Sequence, residues 1–395
     1  LLEVADLTGP VISPDGGRVA FRLEQASVVR NAFDVFWYVQ AMDGKSPPHR
    51  VADGGVLLHD SAGVSVPGHA VWSPDGRWIY YRALVDGEMS VWRAAVDGSG
   101  AEPVTHDSAD VRDFALSADG KTLKYSVGAT RDAVIAAEQA EYDRGIHIDD
   151  TVPVGQGGLF RSGNIDGRLE TQRFPSGREG WERIQLLAEV SGQWKAVELT
   201  TGETRNLPSS ERPPKSPAAS DLSRKLPAPW VLETDPDTGR MALLTRVGDG
   251  KGLMYKPDVE LAVLPKAGST RLIKCQAESC TGKAISAIQW RPHSDEVLFT
   301  VTDRHEGQAQ SIHRWNVRTG AVQLVTQSAG MLNGGGRYQS GGCGVSSDAM
   351  VCVVAKADRP PRLERIDLAT GGRQVLFDPN AALALDMAKT TPSRL

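Results

Sequence analysis

Two turn motifs, repeated out of phase along the whole chain, limit what this sequence can fold into. The first is a dipeptide ending in glycine between two apolar, β-branched runs: Asp43-Gly44, Asp97-Gly98, Asp166-Gly167, Thr201-Gly202, Ala267-Gly268, Thr319-Gly320 and Thr370-Gly371. The second reads Ser13-Pro14-Asp15-Gly16, Ser73-Pro74-Asp75-Gly76 and Ser117-Ala118-Asp119-Gly120. It returns in worn form at Arg291-Pro292-His293-Ser294-Asp295 and Ser346-Ser347-Asp348. A repeat longer than a hairpin and shorter than a domain means an array of small sheets. One such sheet cannot bury both of its faces, so the units must pack on one another.

The copy at Val71 shows the unit. Val71-Trp72 leads into Ser73-Pro74-Asp75-Gly76, where Pro fixes φ at the second turn position and Asp and Gly supply side-chain hydrogen bonding and a positive φ. Trp78-Ile79-Tyr80-Tyr81 has the aromatic and β-branched character of a strand. Asp86-Gly87 turns the chain into Ser90-Val91-Trp92-Arg93-Ala94-Ala95-Val96, Asp97-Gly98 turns it again, and Pro103-Val104-Thr105 ends the unit. Four short strands with three turns make one propeller blade. Residues 288–325 and 343–368 repeat the pattern. Successive hairpin glycines are 54, 69, 35, 66, 52 and 51 residues apart, so the unequal intervals require insertions. A β-sandwich also has many short strands, but it does not repeat one turn at this spacing. The expectation is an all-β propeller over residues 1–379, with seven blades by the glycine count, six as the alternative, and one short inserted helix.

Composition narrows the partners. The 395 residues are 40 % hydrophobic and 24 % charged, ordinary for a soluble globule. The net charge of −5 argues against a nucleic-acid binder, and no apolar run is long enough to span a membrane. Residue 1 is Leu, and no basic-then-apolar leader follows it. That suits the mature start of an exported, periplasmic protein, with the cytoplasm as the alternative. Cys275 and Cys280 flank Gln-Ala-Glu-Ser, and Cys343 and Cys352 flank the worn turn of the last repeat. Four cysteines allow three pairings, and the local one, 275 with 280 and 343 with 352, needs the least chain rearrangement. Buried free thiols are the other reading. The spacing misses the Cys-x-x-Cys of a structural zinc site, so neither a metal nor a cofactor is expected.

Two insertions interrupt the repeat. Residues 130–150 hold the one convincing helix in the body of the chain: Thr130 can cap it, Asp132 suits its positive end, Arg144 its negative end, and Gly145 stops it. Glu138, Glu141 and Tyr142 fall at i, i+3 and i+4 and so share a face. Binding residues concentrate on long loops carried by a rigid scaffold, which makes these three the candidate substrate-binding residues. A solvated face on a helix packed by its alanines is the competing reading. His147-Ile148-Asp149-Asp150 follows, best explained as a solvated turn. The second insertion, residues 207–230, carries Pro208, Pro213, Pro214, Pro217, Pro227 and Pro229 among Ser, Arg and Lys and reads as an extended connector.

No catalytic motif is present. Gly63-Val64-Ser65-Val66-Pro67 comes nearest to the Gly-x-Ser-x-Gly nucleophile elbow, but it ends in Pro. Gly334-Gly335-Gly336 lacks the Lys-Ser/Thr of a phosphate loop. The eight histidines are scattered, and no residue is assigned a catalytic role.

The Ser-Pro-Asp-Gly turn followed by an apolar triplet (Val19-Ala20-Phe21, Ile79-Tyr80-Tyr81) resembles both TolB-like propellers and the N-terminal propellers of the prolyl oligopeptidase family of serine peptidases. The opening Glu3-Val4-Ala5-Asp6-Leu7-Thr8-Gly9-Pro10-Val11-Ile12-Ser13-Pro14-Asp15-Gly16 and the Glu141-Tyr142-Asp143-Arg144-Gly145 helix end look most like the lasso-peptide isopeptidases within that family. The resemblance implies a peptide substrate and a Ser, Asp and His triad on an α/β-hydrolase domain of the same parent protein. No part of that domain is in this chain. Residues 380–395 would begin the linker toward it, and the chain would be the substrate-gating and recognition half. The alternative is a stand-alone TolB-like binding or scaffold propeller without catalysis.

Overall fold

In the computed structural model the Ser-x-Asp-Gly turns close alike. The Ser13 hydroxyl donates to Asp15 Oδ1 (2.5 Å) and accepts from the Arg18 amide (2.9 Å). Ser73 does the same with Asp75 (2.6 Å) and Trp78 (2.9 Å), and Ser117 with Asp119 (2.6 Å) and Thr122 (3.0 Å). Gly16, Gly76 and Gly120 complete the turns at φ of +71°, +65° and +70°, their amides bonded to the Ser carbonyls. The Ser73 hydroxyl and Arg77 bring the Asp75 carboxyl down to about 2. Each turn reverses the chain tightly and sets the next strand antiparallel to the last.

The structure describes residues 2–59, 64–145, 186–187, 190–213, 226, 229–248, 257–266, 269–333 and 342–389, with four short strands between 163 and 185. Six four-stranded antiparallel units lie among them, four as separate sheets and two joined into one eight-stranded sheet by a pairing between the third strand of blade 4 and the first of blade 5. Blade 1 is β1 (Ala5–Ile12), β2 (Arg18–Ser27), β3 (Ala32–Ala41) and β4 (His49–Asp53). Blade 2 is β5 (Ala70–Trp72), β6 (Trp78–Val85), β7 (Glu88–Ala95) and β8 (Ala101–Pro103). Blade 3 begins with β9 (Ala109–Leu116) and β10 (Thr122–Thr130). It is then interrupted by helix α1 (Arg131–Arg144) and two strand pairs, β11 (Gly163–Ile165) with β12 (Arg168–Glu170) and β13 (Gln172–Arg173) with β14 (Ile184–Gln185). It is completed by β15 (Gln193–Glu198) and β16 (Thr204–Asn206).

Blade 4 is β17 (Pro229–Thr234), β18 (Met241–Arg246), β19 (Val259–Leu264) and β20 (Ile273–Lys274). Blade 5 is β21 (Thr281–Trp290), β22 (Glu296–Asp303), β23 (Ala309–Asn316) and β24 (Val322–Ser328). Blade 6 is β25 (Gly344–Val345), β26 (Ala349–Lys356), β27 (Arg359–Asp367) and β28 (Arg373–Phe377). The described residues thus hold six such units. The turn at 166–167, itself outside the described residues, joins β11 to β12 inside the blade 3 insertion and belongs to no four-stranded blade. The turn at 267–268 and most of the Pro-rich connector, from 214 to 225, also lie outside the described residues.

Blades pack face to face. One core cluster joins blades 1 and 2 (Ala20, Trp37 and Val39 with Trp72, Ile79 and Tyr81), another joins 2 and 3, and a third joins 5 and 6. Blades 4 and 5 share a cluster built on Leu244, Val259, Phe299 and Trp315. Leu7, Val19 and Phe21 of blade 1 pack on Val351, Val353 and Leu363 of blade 6, so the first blade meets the last. First strands touch one another, β1 with both β5 and β25, which places them at the axis. The approach there is close: a Cβ on Gly9, at φ +59°, would lie 1.9 Å from the Gly68 carbonyl oxygen. The seam between blades 1 and 6 carries a clip. Buried Asn380 accepts from the Ala5 amide (2.9 Å) and donates to the carbonyls of Ala5 (2.9 Å) and Pro361 (2.7 Å), just before helix α2 (Ala381–Met387).

A side-chain latch ties neighbouring blades. Arg18 donates to the Gly76 carbonyl (2.9 Å) and lies over the Trp72 ring, 5.6 Å from its centroid; Trp72 Nε1 donates back to the Val11 carbonyl (3.0 Å). Blades 4 and 5 repeat it. Arg240 donates to the Ser294 carbonyl (2.9 Å) and lies 4.7 Å over Trp290, whose Nε1 donates to the Glu233 carbonyl (3.1 Å). Arg240 also bonds buried Asp235 (2.9 Å) and Asp295 (2.7 Å).

The two latches should differ in weight. Arg240→Ala leaves buried Asp235 without its cation and is expected to cost about 3 kcal/mol. Arg18→Ala, which removes a hydrogen bond to a carbonyl, should cost about 1 kcal/mol. Urea unfolding measures both, and equal losses would refute the distinction. The turn carboxylates add a pH signature. Asp75 is held below its unfolded value of 3.8. Its contribution is therefore complete above about pH 5 and is lost as pH falls toward 2. It is half exposed, so Asp75→Asn should cost less than about 1 kcal/mol at pH 6. The gap in urea midpoint between wild type and variant should shrink by pH 2.5, and an unchanged gap would contradict the assignment.

Candidate functional site

Strand direction sorts the loops onto two faces. In every blade the first-to-second and third-to-fourth turns lie at one end, the hairpin face. The second-to-third turns and the links between blades lie at the other, the connector face. Helix α1 leaves the end of β10, the second strand of blade 3, and so stands on the connector face. The start of β1 and the end of β28 emerge there too.

Exposed apolar side chains follow the same division. Fourteen large ones are exposed among the described residues. Eleven lie in connector-face segments: Leu2, Val28, Val29, Phe33 and Val56 around blades 1 and 2, Ile135 and Tyr142 on α1, and Val190, Trp230, Val247 and Leu385 elsewhere. The other three, Ile273, Leu324 and Val375, lie on outermost strands, and none is in a hairpin-face turn. An apolar concentration on one side of a molecule marks an interaction surface.

The helix is set firmly on this face. Thr130 Oγ1 accepts from the Ala133 amide (3.3 Å), and Gly145 ends the helix at φ +76°. Arg131 anchors the first turn through the Asp107 carbonyl (2.6 Å), Asp110 (3.2 Å) and Glu88 (3.1 Å). Asp107 is itself fixed by Lys195 Nζ (2.6 Å) and Tyr125 OH (3.2 Å). Burial alone would raise the Asp107 carboxyl, but these donors hold it below the usual range. Burial, with Asp107 beside it, pushes the Tyr125 phenol up.

Of the three residues singled out on α1, Glu138 and Glu141 lie on the half-buried stripe with Val134 and Ala137, while Tyr142 is 70 % exposed. The helix thus separates two half-buried carboxylates from a largely exposed phenol. Residues 147–150 lie outside the described residues.

Serine chemistry on the described residues is limited. Ser65, in the near-elbow at 63–67, donates to Glu24 (2.7 Å). Glu24 is buried, also bonded to Arg22 and to Thr8 Oγ1 (3.2 Å), while Arg22 Nη2 reaches the Val66 carbonyl (2.5 Å). Ser65 therefore serves a structural ion pair. Ser311 Oγ lies 3.0 Å from His313 Nε2, a pair two residues apart on β23 that sequence reading missed. His313 stacks on Phe299 at 5.2 Å, and burial lowers its pKa. It has no carboxylate partner among the described residues to orient it as a triad requires. No group of three metal-ligating side chains occurs among the described residues.

Cys275 is disulfide-bonded to Cys280 and Cys343 to Cys352, with Cα separations of 5.8 and 4.5 Å. The first bridge ties the link between blades 4 and 5. The second ties the approach to blade 6 onto β26.

Fold and site together describe a β-propeller with one equipped face and no catalytic triad among its described residues. No family model matches the chain. It is similar to the lasso peptide isopeptidase AtxE2 of Asticcacaulis excentricus, 24 % identical over 94 % of this chain and 48 % of that protein. It also aligns with dipeptidyl-peptidase 5 of Porphyromonas endodontalis, 27 % identical over 32 % of this chain and 17 % of that one. A structure of an AtxE2 isopeptidase variant with Astexin3-dC4 bound superposes with a TM-score of 0.68 at 22 % identity, covering 98 % of this chain and 54 % of that one. The β-propeller domain of the trilobed protease from Pyrococcus furiosus, described as having an open velcro topology, superposes at 0.50 and 13 % identity over 96 % and 98 %. The chain thus spans about half the length of the isopeptidase it resembles.

The bridges make a measurable prediction. Closing loops this short stabilises by roughly 2–3 kcal/mol each in the loop-entropy model. Thiol counting under denaturing, non-reducing conditions should find no free thiol in protein isolated from its native compartment, and Cys275→Ala with Cys280→Ala should lower stability by roughly 2 kcal/mol. Four free thiols would overturn the pairing.

Proposed function

We propose that this chain is the substrate-gating and recognition propeller of a prolyl oligopeptidase-like serine peptidase, of the kind that opens the isopeptide bond of a lasso peptide. Its connector face meets an α/β-hydrolase domain of the same protein, which carries the triad, and a peptide substrate is held between the two. The observation that carries this reading is the convergence on one face of the anchored helix α1 and eleven of the fourteen exposed large apolar side chains among the described residues. The similarity to AtxE2 across nearly the whole chain supports it. In this reading Glu138 and Glu141 accept hydrogen bonds from the peptide's donors, and Tyr142 offers its ring and hydroxyl. The two disulfides support an oxidising, exported location.

Two measurements test the proposal. The reading frame past Leu395 should encode a Gly-x-Ser-x-Gly elbow in a strand-to-helix context; a stop codon there would favour a stand-alone binding propeller. In the two-domain enzyme, Glu138→Ala or Glu141→Ala should lower kcat/KM by roughly ten- to a hundredfold, the value of one charge-assisted hydrogen bond. A change within about twofold, with the fold intact, would make α1 a packing element only.

A further inference from the structure

A groove of about 860 Å³ opens on the connector face between blades 1 and 2. Its walls include four exposed apolar side chains, Leu2, Val28, Phe33 and Val56. Deeper in are Phe36, Leu57, Tyr81, Leu84 and Trp92. Tyr81 is buried with its hydroxyl committed to the Asp53 carbonyl (2.9 Å). Trp92 differs: its indole Nε1 is buried without a hydrogen-bond acceptor. A buried indole N–H ordinarily finds one.

The rim is acidic. Asp34, Asp53 and Asp86 line the groove against one guanidinium, Arg30, which pairs with Asp34. Asp53 is bonded to Arg50 at 3.3 Å on the exposed side, and Arg50 lies over the Phe36 ring. The site therefore offers a concave apolar body, a buried indole N–H without an acceptor at its wall, and one rim carboxylate, Asp86, that no arginine pairs. A ligand that satisfies all three has a bulky apolar side chain, a carbonyl oxygen close to it, and a neighbouring cation.

We propose that the blade 1–blade 2 groove is a specificity pocket for a peptide segment that places an aromatic or branched aliphatic residue next to a lysine or arginine. The apolar side chain fills the groove, a peptide carbonyl accepts from Trp92 Nε1, and the cation meets Asp86. The peptide class rests on the recognition role proposed above, while the pocket and its selectivity rest on the groove itself.

The probes are three fluorescein-labelled hexapeptides, Gly-Ala-Phe-Lys-Ala-Gly and its variants with Phe-Glu and Ser-Ser at the central pair, titrated against the 395-residue chain by fluorescence anisotropy. The Phe-Lys peptide should bind at least tenfold more tightly than Ser-Ser and three- to tenfold more tightly than Phe-Glu. Val56→Lys sets a cation where the apolar side chain would lie, at a position 58 % exposed and so tolerant of change, and should weaken binding at least tenfold. Trp92→Phe keeps the ring, removes the N–H and should weaken it several-fold. Three peptides within twofold of one another, or Val56→Lys within twofold of wild type, overturn the pocket. Sedimentation equilibrium supplies a further refutation: a dimer abolished by Val56→Lys, without peptide binding, gives the groove to a second copy of the chain. The two proposals fail separately. A reading frame that stops at Leu395 removes the peptidase and leaves the peptide selectivity measurable; a silent Val56→Lys beside an active Glu138→Ala removes the pocket alone.

Discussion

Every blade of this molecule has two apolar faces and too few strands to cover either, so stacking of sheet on sheet is the interaction on which everything else depends. Trp37 and Tyr81, both almost wholly buried, meet across the joint between blades 1 and 2 with ring centroids 5.4 Å apart. Phe21 and Phe377 do the same for blades 1 and 6 at 5.8 Å. Apolar stacking alone is non-directional. The orientation of one blade on the next is set by directional groups at the edges: Arg18 and Trp72 in one joint, Arg240 and Trp290 in another, and the Gln289 amide bonded both ways to the backbone of Cys343 in a third.

The same stacking divides labour between the two ends of the ring. The hairpin face is made of tight turns whose hydroxyls and carboxylates are spent on one another and on their own backbone. Such turns have little to offer a partner. The connector face is built from the segments that the blade repeat leaves free to vary. That is where a helix, two short strand pairs and the long links between blades could be inserted without disturbing the stack.

The turn chemistry was legible because it is local. Ser13, Ser73 and Ser117 reach partners two and five residues away, within a span that a motif can record. The same holds for the Thr130 cap of α1. One copy escaped notice: Asp235-Pro236-Asp237-Thr238-Gly239 opens blade 4 with Asp in place of Ser, yet Asp235 accepts from the Asp237 amide (3.1 Å) and makes the same reversal. The glycine count of seven exceeds the six four-stranded units among the described residues for the opposite reason. The turn at 166–167 falls between those of blades 2 and 3, 69 residues after Gly98 and 35 before Gly202, so a hairpin inside an insertion imitates a blade. Long-range features were not legible. Arg18 and Gly76 are 58 residues apart, and Ala5 and Asn380 are 375 apart, and no local pattern announces either contact. On α1, helical spacing put Glu138, Glu141 and Tyr142 on one side, but only packing separates the half-buried carboxylates from the exposed phenol.

The seam held by Asn380 has a mechanical consequence. Blade 1 is made wholly of the first strands in the chain and blade 6 wholly of the last, so no strand is sewn across their joint. The polypeptide runs continuously from each blade to its successor everywhere else around the ring. Both ends of the backbone leave beside this one unsewn joint, on the same side of the disc. A body tethered to those ends pulls on the seam first, with the long lever of a whole blade on either side. Other joints carry a covalent backstop; this one resists with apolar contact, the Asn380 amide and the Gln374 side chain, which donates to the Asp43 carbonyl (2.8 Å). The disc is thus a split ring rather than a closed washer, with its slit beside the strands where the described backbone starts and ends.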